Sequence, residues 1–260
     1  MKEHAVSESL QKEVSEFLMQ GIELEGRTLE HSVAIRERSK EKYKQEWLDA
    51  RLQLLAISAH LINQKDSVPG RTSVQISERL TLIMVFLQGA YATETLITEG
   101  QYIKATAALK QDLEILARIA EVKHDVAKQG RVPNVKYAPE GSQRFYGQLN
   151  DVAHPSNLEL LQSLLGSRHH GDVHGVSYVP TFVEETAFGL YELHVWLLFE
   201  VVREHLLLFI EMYGEADAAM KKVVPWTLTT VDTLRRAGFT FAQDELSESE
   251  TSTPKSIHGC

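Results

Sequence analysis

The chain has 260 residues, 43% of them apolar and 24% charged, with seven prolines, which is the composition of an ordinary soluble globular protein long enough for one sizeable core. Acidic residues outnumber basic ones 36 to 27, a formal net charge of −9, which argues against an unaided grip on DNA or other polyphosphate, because that affinity comes largely from Lys and Arg displacing counterions. The one cysteine, Cys260, has no partner for an internal disulfide, so nothing ties the fold to an oxidising compartment.

A cytoplasmic location is therefore expected. Met1-Lys2-Glu3-His4, followed by Glu8, Lys12 and Glu13, lacks the continuous apolar run of a secretory signal. The most apolar runs are Leu80 to Ala92, broken by Gln88, and Leu190 to Ile210, which carries Glu192, His194, Glu200, Arg203, Glu204 and His205. Charges at that density are costly in lipid, so both runs are expected as core helices and no membrane span is expected.

Proline and glycine divide the chain into long stretches of helical periodicity, with no Asn-Gly or Asp-Gly hairpin signal and no internal repeat. The first amphipathic stretch runs from about Ser7 to Gln20. The second, from about Thr28 to Asn63, is heavily charged before it turns apolar at Leu52. Arg36, Arg38, Lys40, Lys42 and Lys44 against Glu37 and Glu41 make the one notable basic cluster; alternate helical positions face different ways, so a solvated surface is expected there, not a phosphate groove.

After the break at Val68-Pro69-Gly70, Thr72-Ser73-Val74-Gln75 reads as a capping box opening a long helix. Ile76, Leu80, Ile83, Leu87 and Tyr91 are its expected buried stripe, and Gly100 its left-handed stop. In the next helix Leu109, Leu113, Leu116, Ala120 and Val126 form the stripe, with an end expected at Gly130 and Pro133. Lys110, Glu114, Arg118, Glu121 and Asp125 run opposite, read as a solvated face laced with ion pairs.

Residues Arg131 to Gly141 read as a loop and Ser142 to about His154 as a short helix stopped by Pro155. Ser156-Asn157-Leu158-Glu159 opens a helix that runs to Gly166, and Arg168 to Pro180 reads as a loop. Thr181-Phe182-Val183-Glu184 caps the last long helix, with Tyr191, Val195, Leu198, Val202, Leu206 and Phe209 as its main stripe and a place at the centre of the bundle. One or two short helices are expected after Gly214.

Two groups of residues carry candidate chemistry. His169, His170, Asp172 and His174 supply donor atoms suited to zinc or another borderline metal, although the spacing matches no helical or paired-strand ligand geometry and a polar loop explains the composition equally well. Glu121-Val122-Lys123-His124 is a single Glu-x-x-His, where a di-iron bundle needs two. Glycine-rich phosphate loops and Gly-x-Ser-x-Gly are absent, and no cofactor is expected. Tyr146, Asn150 and His154 share one helix face as phenol, amide and imidazole, with Arg144 a turn away. The alternative reading has His154 closing the helix end near Pro155, with Tyr146 and Asn150 pinning the loop that follows.

Glu99-Gly100-Gln101-Tyr102-Ile103-Lys104-Ala105, Leu109-Lys110-Gln111-Asp112-Leu113-Glu114, and Tyr146-Gly147-Gln148-Leu149-Asn150-Asp151-Val152-Ala153-His154-Pro155-Ser156 resemble helical bacterial proteins related to the HEPN superfamily. That resemblance, spanning Gly100 to Ser156, implies a helical bundle, often dimeric, and in many members a metal-independent ribonuclease of toxin–antitoxin, phage-defence or RNA-processing systems. The family signature is Arg-Asn-x-x-x-His, in which the His moves a proton at the ribose 2′-hydroxyl and the Arg steadies the phosphate. Here Asn150 and His154 are kept while Leu149 stands where the arginine belongs. Arg118 with His124 and Arg168 with His174 also fit the looser spacing, about as often as chance alone provides.

The organisation expected is an all-α, HEPN-like bundle: N-terminal helices over 1–66, a HEPN-like core over 72–213, short C-terminal helices over 214–241 and a disordered tail over 243–260. Three functions are carried forward. The first is a non-catalytic or weakly active interaction protein, a homodimer or bound to a protein partner, with RNA as a further candidate partner, in a defence or toxin–antitoxin-type system. The second is an active ribonuclease using His154 with Arg144, Arg118 or a residue from a dimer mate. The third is a metal protein built on the 168–174 segment.

Overall fold

The computed structural model describes residues 8–64, 68–153, 157–165, 167–170, 173–214 and 217–239, and the expected acidic tail lies outside them. Among these residues the chain is all-α, with one short hairpin. The helices are α1 (Glu8–Lys42), α2 (Gln45–Ile62), α3 (Val74–Thr98), α4 (Tyr102–Lys123), α5 (Ser142–Ala153), α6 (Leu158–Leu165), α7 (Glu184–Tyr213) and α8 (Ala218–Ala237). A 3-10 turn covers Val135–Tyr137, and the hairpin pairs β1 (Ser167–His170) with β2 (Val173–Val176). Two compact units result, one from the described parts of Met1–Tyr43 and Thr72–Leu208, the other from those of Lys44–Arg71 and Phe209–Cys260.

In the first unit, α1 is one helix of 35 residues, where the composition predicts two stretches; Gly21 and Gly26 are carried inside it. Its last turns dock through buried Ser32, Ile35 and Ser39, and the Ser39 hydroxyl donates to the Thr98 carbonyl at 3.1 Å. The basic cluster faces water as expected, with Arg38, Lys40, Lys42 and Lys44 exposed, and three of its side chains also reach neighbours across the docking face. Arg36 pairs with Glu99, Arg38 lies 4.4 Å over the Phe182 ring, and Lys42 meets Glu184 at 3.1 Å.

Helix α3 starts one residue later than the capping-box reading, with the Ser73 hydroxyl accepting from the Ile76 amide at 3.1 Å. Its buried stripe is Ile76, Arg79, Ile83, Phe86, Ala90, Thr93 and Ile97; Leu80 and Leu87 are half-buried and Tyr91 is 69% exposed. The expected stripe was rotated because Arg79 and Thr93, polar residues, occupy the buried face. By length and composition α3 could cross a bilayer, and 28% of its most apolar window is buried. Gly100, at φ 76°, ends α3 as expected: its amide donates to Ile97 and that of Gln101 to Leu96, which satisfies two terminal carbonyls.

Helix α4 packs along α3 through Leu109, Leu113 and Leu116 and ends at Lys123, short of Gly130. Asp125, at φ 56°, takes the left-handed position, and the Val126 amide closes on the Glu121 carbonyl at 2.9 Å. Val126 is consequently outside the helix and 40% exposed. Where a loop was expected after Arg168, the hairpin pairs His169 with His174 and His170 with Val173. The residues between the two strands, 171 and 172, lie outside the described residues.

Helix α7 supplies the middle of the core, with Ala187, Tyr191, Val195, Leu197, Leu198 and Val201 fully buried. Its first turn is not closed by Thr181. The Tyr102 hydroxyl, from α4, accepts the Val183 amide at 3.2 Å. In the second unit α2 packs on α8. Helix α8 is a single helix of 20 residues that runs through Pro225, where one or two short ones were expected. Asp217 caps its start through the Ala219 amide at 2.8 Å, and Gly238, at φ 103°, ends it, with the Lys44 ammonium donating to the Ala237 carbonyl at 2.9 Å.

Candidate functional site

Helix α5 is amphipathic and brings three of the four candidate residues into the described structure; His154 lies outside it. The Tyr146 hydroxyl donates to Glu114 Oε1 of α4 at 2.9 Å, and Lys110 Nζ sits 5.5 Å from the Tyr146 ring and 3.9 Å from Glu114. Burial first, then the neighbouring carboxylate, raises the Tyr146 pKa above that of an ordinary phenol. This hydroxyl is therefore held protonated and engaged. Asn150 follows one turn on, half-buried.

Leu149 is 4% exposed, a core residue of α5. Arg144 is exposed, two positions from Tyr146 and so on another face, with its guanidinium 4.6 Å over the Phe145 ring. Arg118 is occupied elsewhere. It pairs with Glu121 at 2.8 Å and donates to the carbonyls of Lys128 and Arg131, while Glu121, 6% exposed, accepts the Asn134 amide at 2.8 Å.

The polar stripe of α4 carries the expected ion pairs, Lys110 with Glu114 at 3.9 Å and Arg118 with Glu121 at 2.8 Å, and Asp125 past its end is exposed, but from Lys110 to Glu121 it is partly covered and not a fully solvated face. Its lower half holds the loop after α4, its upper half holds α5. Sequence reading placed Lys110, Glu114 and Glu121 on this stripe but gave Asn134 and the covering role of Tyr146 no place, because the segment that covers the stripe begins 10 residues or more downstream. Beyond α5, an open depression is lined by Asp151, Asn157, Leu158 and Glu159, two of them carboxylates.

The other buried titratable groups lie in the core. Asp112, 5% exposed, accepts the Thr93 hydroxyl at 3.3 Å and is pushed by burial up to about 7. Burial also raises Glu200, against the pull of Arg203, and lowers His205 to about 4. For the metal candidates, Asp172 lies outside the described residues, as do the side chains of His169, His170 and His174; among the described residues no group of three or more His, Cys, Asp or Glu is placed to hold a metal ion.

Fold and site together define an all-α protein whose candidate polar cluster is a structural seam on one of its helices. Compared with protein-family models, curated proteins and solved structures, the chain matches none.

Proposed function

We propose that this is a HEPN-like helical protein of the cytoplasm that works through contacts of its helix faces with a protein partner, in a defence or toxin–antitoxin-type system, without cutting RNA. The observation that carries this reading is the burial of Leu149, 4% exposed, at the position where the resemblance calls for a phosphate-holding arginine. Loss of such a donor typically costs on the order of a hundredfold or more in rate. Neither nearby guanidinium replaces it: Arg144 is stacked on Phe145, and Arg118 is bound to Glu121 and two loop carbonyls. The carboxylates of Asp151 and Glu159 in the adjoining depression repel phosphate.

The test is incubation of purified protein with a mixed RNA pool in EDTA, beside His154→Ala and Arg144→Ala. Intact RNA in all three is the expected result. Cleavage by the unmodified protein that His154→Ala abolishes would make it a metal-independent ribonuclease and overturn the reading.

A further inference from the structure

The loop after α4 is held by its main chain and leaves its cations unpaired. Arg118 donates to the carbonyls of Lys128, at 3.3 Å, and Arg131, and Glu121 accepts the Asn134 amide at 2.8 Å. Between these anchors the Arg131 amide donates to the Lys128 carbonyl at 3.3 Å, closing a tight turn with Gly130 at φ 72° in third place. Asn134 Oδ1 then accepts the Lys136 amide at 3.1 Å. These bonds engage only the main chain of Lys128, Arg131 and Lys136, whose side chains are exposed. From Val126 to Pro139 the segment carries those three cations and no acidic residue, +3 in a chain of net −9, so the rest of the chain carries −12. The basic residues before it are already matched, Lys123 with Glu204 at 3.3 Å and Arg118 with Glu121. Among the described residues no carboxylate stands within ion-pair distance of Lys128, Arg131 or Lys136; the Lys136 ammonium lies 4.7 Å from the Tyr137 ring.

We infer that this loop is a docking surface for a short acidic segment of a protein partner. Charge selects an anion. A hydrogen-bonded turn keeps the α-carbons of its first and fourth residues within about 7 Å, so Lys128 and Arg131 are fixed as like-charged neighbours that an incoming carboxylate relieves. The anchors on α4 order the loop before the partner arrives, which lowers the entropy lost on binding. Apolar surface selects a peptide over a nucleic acid: Val132, 73% exposed, and Val126, 40% exposed, stand in the same loop as the cations and offer contact to an apolar side chain but nothing to a phosphate chain. A long polyanion running past the loop also meets the −12 of the remaining chain, whereas a short acidic segment ends where the positive patch ends. Asp125, exposed at φ 56°, bounds the patch on the side of α4.

This rests on the protein-partner reading above and gives the partner its chemistry, and the two fail separately: a chain that cuts RNA can still hold the peptide, and one that does not hold it can still leave RNA intact. The probe is a fluorescein-labelled peptide of repeated Glu-Glu-Leu units, titrated with the full chain at about 50 mM salt and followed by fluorescence anisotropy. It is expected to bind with a Kd on the order of 10–100 µM. Lys128→Glu combined with Arg131→Glu is expected to weaken it roughly tenfold or more, with circular dichroism confirming unchanged helix content. Lys221→Glu combined with Lys222→Glu, both exposed on α8, changes the net charge equally and is expected to weaken binding less than about twofold. A peptide that fails to saturate by about 1 mM overturns the inference. So do two charge-reversed pairs that weaken binding equally, or a single-stranded RNA of the same length that binds more tightly through Lys128 and Arg131, which assigns the loop to nucleic acid.

Discussion

Tyr146 of α5 donates its phenolic proton to Glu114 of α4 at 2.9 Å, across 32 residues of sequence. The bond turns the most catalytic-looking phenol of the chain into a strut between two helices. Tyr146→Phe is expected to lower the unfolding free energy by about 1 kcal/mol, the ordinary net worth of such a bond at a half-buried position. Glu114→Gln, which keeps an acceptor, is expected to cost less. Urea unfolding of the two variants checks the order.

The loop after α4 hangs on one buried carboxylate. Glu121 holds Arg118 at 2.8 Å and the Asn134 amide at 2.8 Å. Glu121→Ala leaves the Asn134 amide without its acceptor and Arg118 with only its two loop carbonyls, and is expected to cost about 1–3 kcal/mol, with Glu121→Gln intermediate. Hydrogen exchange at the Asn134 amide is expected to accelerate in Glu121→Ala before any change in the amides of α3.

Acid titration of the core sets two opposing slopes. Asp112, raised to about 7, holds its proton in the folded state where the unfolded chain has released it, so its contribution is present at low pH and is lost as pH rises from about 4 to about 7. Glu200 is raised too and acts with the same sign. His205, lowered to about 4, stays neutral in the fold while the unfolded chain takes a proton below 6.5, so its contribution is lost as pH falls over that interval. Each slope is at most about 1.4 kcal/mol per pH unit. Relative to the unmodified protein, Asp112→Asn is expected to gain stability as pH rises from 4 to 7, and His205→Gln to gain as pH falls from 6.5 to 4. Denaturant unfolding at half-unit steps of pH measures both differences.

Gly100 stands at φ 76°, and a Cβ there would come within 2.9 Å of the Thr181 carbonyl and 3.1 Å of the Ile35 side chain. Gly100→Ala therefore meets both a left-handed penalty and a backbone clash. It is expected to cost at least about 2 kcal/mol, seen as a lowered Tm with α1 and α7 loosened at the contact.

The linear chain was enough to establish an all-α protein, the core of α7 and the stop at Gly100, because helical period, apolar spacing and a glycine tolerant of positive φ are properties of neighbours in sequence. It also showed the polar stripe of α4 and the departure at Leu149. What tertiary structure alone decided is what covers each of these. Tyr146 reaches Glu114, Asn134 reaches Glu121, and Tyr102 caps α7 at Val183, each across long stretches of chain. Period marks which residues share a face, but whether that face meets water, a loop or another helix depends on segments far away in sequence, whose approach no local spacing encodes.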